Sequence, residues 1–106
     1  MKIKANEMQP GMVIGIDRGH NYEDVSLVIA KKGFVEVEYT HFDFQDSYHG
    51  AMVGTIKGKK KIKVIKGKKR RRVIEQIKSD LHKNYHDVSR NIDTVWLILA
   101  MDNDNT

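Results

Sequence analysis

Cysteine is absent from the 106 residues, proline occurs once, and aromatic residues make up 8% of the chain. The missing cysteine removes any disulfide framework and any thiolate metal centre. No stretch reaches the 18 or so apolar residues of a membrane helix, and the opening Met1-Lys2-Ile3-Lys4-Ala5-Asn6-Glu7 lacks the apolar segment of a secretory signal. A cytoplasmic protein that does not enter a membrane is the expectation. Glycines are scattered singly, without GxGxxG or Walker spacing, so no phosphate-cradling loop is legible. No linker rich in Pro, Gly or Ser divides the chain, which points to a single domain over 1–106. At this length folding hides roughly 65% of the surface of the unfolded chain, enough for stability without a covalent or metal staple.

One absence is local. Residues 57–72 contain no acid and carry 11 basic side chains: Lys57, Lys59, Lys60, Lys61, Lys63, Lys66, Lys68, Lys69, Arg70, Arg71 and Arg72. The other 90 residues hold 8 basic and 14 acidic side chains, so the net charge of +5 conceals a basic segment on an acidic remainder. Such polarity orients a molecule towards polyanions.

Hydropathy patterning predicts a mainly β (α+β) chain. Pro10-Gly11 suits a type II turn, with φ fixed by Pro at one central position and a positive φ accepted by Gly at the next. Met12–Ile16 and Asp24–Ala30 read as short strands rich in β-branched residues. From Val35 to Tyr39 the alternation is strict, with Val35, Val37 and Tyr39 on one face and Glu36 and Glu38 on the other. Residues His41 to His49 read equally as loop or as irregular strand. Met52–Lys57 and Lys60–Lys66 flank Gly58-Lys59, a pair suited to a type II′ hairpin. Val73, Ile74, Ile77, Leu81, Tyr85 and Val88 then recur at three- and four-residue intervals, predicting an amphipathic helix over about 70–90. Its first turn would hold Arg70, Arg71 and Arg72, whose sign opposes the partial positive charge of a helix N-terminus. Thr94–Met101 is apolar at every second position on both faces and reads as a final buried strand containing Trp96. Residues 102–106 should fray.

Ala5-Asn6-Glu7-Met8-Gln9-Pro10-Gly11-Met12 ahead of the first strand, the strand Tyr22 to Val28 behind a polar turn, and Lys31-Lys32-Gly33-Phe34-Val35-Glu36-Val37 carry a family resemblance. Residues 5–66 resemble SH3-like barrels of the KOW type and of the elongation factor P N-terminal domain. The resemblance implies a small antiparallel barrel or rolled sheet that binds RNA or ribonucleoprotein; residues 68–106 lie outside it. The short, charge-polarised build also resembles small phage accessory proteins.

A dense Lys/Arg block neutralises several phosphates at once, and the release of condensed counterions favours binding to DNA or RNA. Arginine adds a planar fork suited to phosphate or guanine. All eleven cations are therefore candidate nucleic-acid contacts. Two other readings compete: a strand edge defended against aggregation by lysine, and a protein-interaction factor that docks its basic face on an acidic host protein. Tyr39, Phe42, Phe44 and Tyr48 could supply base stacking if they face outward, although Tyr39 reads better as core. His82 and His86, four apart on the expected helix, are conceivable metal ligands, with Asp87 or the loop of His41, Asp43, Asp46 and His49 completing the set. They form no recognised signature, so no metal or cofactor is expected. No nucleophile, base and oxyanion-donor set can be assembled, and the chain reads as a non-enzyme.

Overall fold

The computed structural model describes residues 1–19, 22–45, 48–83 and 100–101. From residue 1 to residue 83 the described residues form, in order, β1 (Lys2–Lys4), a single 3-10 turn (Ala5–Glu7), β2 (Val13–Gly19), β3 (Tyr22–Lys32), β4 (Glu36–Gln45), β5 (Tyr48–Lys57), β6 (Lys61–Ile65) and α1 (Gly67–Lys83). The strands form one antiparallel sheet in the order β1-β6-β2-β3-β4-β5. β1 and β5 are edges, so the sheet is open and not the closed barrel that was one expectation.

The turn after the 3-10 segment forms as its sequence dictates. Gly11 has φ 96°, and the Met12 N–H donates to the Gln9 carbonyl at 3.1 Å across Pro10-Gly11. From Val13 onward β2, β3, β4 and β5 form a meander, and β6 then returns to pair with β2 and β1. In a flat sheet β6 and β5 would stand four spacings apart, roughly 19 Å. The four steps from Lys57 to Lys61 reach at most about 14 Å. The sheet therefore has to curl. Irregular registers between Asp17 and Gly19, and between Val28 and Ala30, add local twist of the kind that curls a sheet.

The expected hairpin at Gly58-Lys59 is corrected by this topology. β5 and β6 are joined by that turn but are not ladder partners, and Gly58 is not among the described glycines with positive φ. Its N–H donates instead to the Val35 carbonyl at 2.8 Å, and its carbonyl accepts from the Asn6 N–H at 2.9 Å. The turn is fastened to two other loops.

Strand alternation divides the core in two. Ile3, Ile14, Ile16, Val28, Val37, Tyr39, Ile56, Ile62 and Val64 meet Ala5, Met8 and Met12 on one side of the sheet. On the other side Val13, Leu27, Ile29, Phe42 and Ile65 lie under Val73, Ile74 and Ile77 of α1. Burying each large side chain of this kind contributes about 1.5–3 kcal/mol. Val37 and Tyr39 are buried and Glu36 and Glu38 exposed, as the alternation requires; Val35 falls in the preceding turn and is exposed.

The helix begins at Gly67, slightly before the expected start, and is described to Lys83. Its expected continuation over 84–90, the segment Thr94–Leu99 with Trp96, and residues 102–106 lie outside the described residues. Ala100 and Met101 are helical and buried against the α1 side of the core, which corrects the last two positions of the expected final strand. Apolarity on every side marks a covered segment without fixing its period. No helix among the described residues is long and apolar enough to cross a membrane.

Candidate functional site

β6 reads Lys61-Ile62-Lys63-Val64-Ile65, and its pleat sends Lys61 and Lys63 outward while Ile62 and Val64 enter the core. β1, reading Lys2-Ile3-Lys4, lies antiparallel beside it with Lys2 opposite Lys63, Ile3 opposite Ile62 and Lys4 opposite Lys61. Directly opposed residues share a face, with Cβ atoms about 4.5–5.5 Å apart. Four exposed lysines thus form a two-by-two block, backed by the pair Ile3 and Ile62. On the far side of Lys63 stands Gly15 of β2, which adds no side chain to the row.

Sequence reasoning includes Lys61 and Lys63 but misses Lys2 and Lys4. The signal is present: Lys2-Ile3-Lys4 repeats the lysine-isoleucine-lysine alternation of 61–63. What linear inspection lacks is the pairing of the first strand with the sixth. The acid nearest in sequence, Glu7, accepts the backbone N–H of Lys4 at 2.8 Å through Oε1.

Cations continue beyond the block at both ends of β6. Lys59 and Lys60 occupy the turn before it and Lys66 follows it; Lys68, Lys69, Arg71 and Arg72 are exposed on the first turns of α1. No acid stands in the first turn of the helix. Lys57 closes β5 and stands opposite Glu36 in the β4–β5 register, so a carboxylate-bearing position neighbours it across the ladder.

Arg70 departs from the rest. It is only 9% exposed, and its guanidinium donates from Nη2 to the Gly11 carbonyl at 2.9 Å. Of the eleven cations expected to contact phosphate, ten are exposed, whereas Arg70 ties the helix to the loop ahead of β2. Arg70, Val73, Ile74 and Ile77 are spaced by three and four residues, so the stripe that buries the apolar residues carries the arginine inward as well.

Two hollows flank the β5–β6 turn. The larger, about 540 Å³, lies between Ile16, Tyr39, Thr55 and Ile56, with Lys57, Lys59 and Lys60 at its rim. The second, about 290 Å³, is lined by Asn6, Phe34, Val35, Lys57 and Lys59. Among the aromatics weighed for stacking, Tyr39 and Phe42 are buried, the Tyr39 ring lying 4.9 Å from that of His41. The side chains of Phe44 and Tyr48 lie outside the described residues.

Comparison with protein-family models, curated proteins and solved structures finds no match to this chain. The functional reading consequently rests on geometry and charge. Among the described residues no three His, Cys, Asp or Glu side chains cluster as metal ligands do. The His82 and His86 side chains lie outside the described residues.

Edge protection accounts for lysines on β1, the outermost strand. It does not account for Lys61 and Lys63 on β6, which has a neighbour on both sides, nor for the cations of α1. Like charges placed directly opposite one another destabilise a ladder, and cations at a helix N-terminus oppose the macrodipole by about 0.3–1 kcal/mol each. The fold carries both penalties, the first where β1 meets β6 and the second at the start of α1.

Proposed function

We propose that the protein binds nucleic acid through its phosphate backbone, using the Lys2, Lys4, Lys61 and Lys63 block with Lys59, Lys60, Lys66, Lys68, Lys69, Arg71 and Arg72 around it. The cross-strand register that sets four lysines face to face carries this reading. A polyanion converts their mutual repulsion into attraction, because each neutralised phosphate releases condensed counterions. Lysines two residues apart on a strand repeat at roughly 6.6 Å, a spacing comparable to that of successive phosphates in an extended strand. The contacts are point charges to backbone oxygens, which position a ligand without reading its sequence. DNA and RNA both satisfy this chemistry, and such a role is that of an intracellular non-enzymatic protein.

The strand order supports the resemblance to SH3-like barrels. A four-strand meander, β2 to β5, is followed by a strand that returns beside its first member. We read the sheet as such a roll with one seam left open.

Fluorescence anisotropy with labelled duplex and single-stranded oligonucleotides tests the proposal. Affinity should fall linearly on a log–log plot against salt. The quadruple variant Lys2→Gln/Lys4→Gln/Lys61→Gln/Lys63→Gln should flatten the duplex slope by about 0.9 for each phosphate that is no longer neutralised. No binding at low salt, or an unchanged slope in the variant, would overturn it. Recovery from lysate of a protein partner that survives nuclease treatment, with no oligonucleotide binding, would favour docking on an acidic protein instead.

A further inference from the structure

The β3–β4 turn presents the two most exposed large apolar side chains of the described chain, Phe34 at 70% and Val35 at 83%. Folding gains nothing from placing them there. The turn is nevertheless tightly held. Gly33 has φ 90°, and a Cβ at this position would meet the Glu36 carbonyl oxygen at 2.2 Å. On the opposite side the Gly58 backbone approaches so closely that a Cβ there would come within 1.9 Å of the Phe34 carbonyl oxygen. Gly58 N–H also donates to the Val35 carbonyl at 2.8 Å, Asn6 N–H to the Gly58 carbonyl at 2.9 Å, and Lys31 Nζ to the Asn6 carbonyl at 2.7 Å. Two glycines and three hydrogen bonds thus clamp the turn to the β5–β6 turn and the 3-10 segment.

Beneath Phe34 and Val35 lies the 290 Å³ hollow whose remaining walls are Asn6, Lys57 and Lys59. Its exposed floor is apolar, its charged rim is cationic, and none of its lining residues is acidic. Lys57 also stands opposite Glu36 in the ladder, so Lys59 has the larger share of any anion contact. A ligand matching this site has a flat apolar body joined to a negative charge. An unpaired nucleotide has both, in its base and its phosphate.

Resting on the nucleic-acid reading above, we infer that Phe34 is a stacking platform for an unpaired base, with Val35 flanking it and Lys59 on the adjoining phosphate. The protein therefore prefers single-stranded or gapped nucleic acid to blunt duplex, whose bases are already stacked on one another. Every base offers a π-face, so the contact is tolerant of sequence. A platform fixed before binding loses little side-chain and loop freedom on binding.

The test compares Phe34→Ala, Phe34→Leu and Phe34→Trp with the parent protein on a labelled single strand and the blunt duplex of the same sequence, by anisotropy. At 70% exposure the substitutions leave the core intact. Phe34→Ala should weaken single-strand binding roughly 5- to 150-fold, the range that removal of one stacked base implies. Duplex binding and both salt slopes should stay as in the parent, because no charge is removed. Phe34→Leu should lose most of the same increment and Phe34→Trp should retain it. Equal binding of both probes by the parent, an unchanged single-strand affinity in Phe34→Ala, or full retention by Phe34→Leu would overturn the platform while leaving backbone binding in place. Failure of the parent protein to bind either oligonucleotide would remove backbone binding and the platform together.

Discussion

β1 gives the sheet an edge of three residues, two of them lysine; β5 gives it an edge of ten residues with a single Lys/Arg/Asp/Glu charge, Lys57 at its end. Beside β1 the next strand repeats the lysines. On β5, Met52 and Val53 are exposed apolar side chains. A short, cationic edge repels an incoming strand of like charge and offers little backbone to pair with, whereas a long neutral edge is a template for strand addition. One sheet thus ends on one side in a short cationic edge and on the other in a long edge that no further described strand covers.

The comparison breaks most severely if the apolar backing of the cationic edge is removed. Ile62 is buried between the two lysines of β6 and opposite Ile3, so Ile62→Ala should lower unfolding free energy by about 2–5 kcal/mol in a denaturant titration. A decrease under about 1 kcal/mol, well below that range, would mean that β1 and β6 are not held by this core.

Arg70→Ala separates fastening from binding within the basic segment. Removing the charged donor to the Gly11 carbonyl should cost about 1.5–3 kcal/mol of stability. The salt slope for oligonucleotide binding should not change, whereas Arg71→Ala, at an exposed position, should flatten that slope with little effect on stability. A reversal of these two outcomes would contradict the inward placement of Arg70.

The smallest effect on stability falls on the neutral edge. Val53→Lys gives β5 the protection that β1 already has. Unfolding free energy should shift by no more than about 0.5 kcal/mol, and light scattering during heating should show slower aggregation. Faster aggregation would mean that this edge is not the template.

Legibility in the sequence follows the range of the interactions. The Pro10-Gly11 turn, the alternation at Val37 and Tyr39 and the apolar stripe at Val73, Ile74 and Ile77 are local patterns, and the structure has them at those positions. β1 escapes notice because three residues are too few to show a period and its partner lies in β6. The same distance hides half of the lysine block. Gly58-Lys59 resembles a hairpin turn because local chemistry cannot tell a turn between ladder partners from one between a sheet's edge and the strand beside its other edge. Arg70 reads as a ligand-binding cation on charge alone, though its position in the stripe of Val73 and Ile77 points inward. Phe34 does not stand out as a surface aromatic because it lies outside the basic segment in sequence and reaches Lys57 and Lys59 only through the clamp at Gly58.

The pairing of β1 with β6 has a consequence for biogenesis. Lys2 and its ladder partner Lys63 are separated by some sixty residues, whereas β2 to β5 meet their neighbours in the order in which they leave the ribosome. Closing the longer loop is entropically the later event. β1 is accordingly installed after the meander that follows it in the chain, and a nascent chain halted before β6 would have its meander without the four-lysine block.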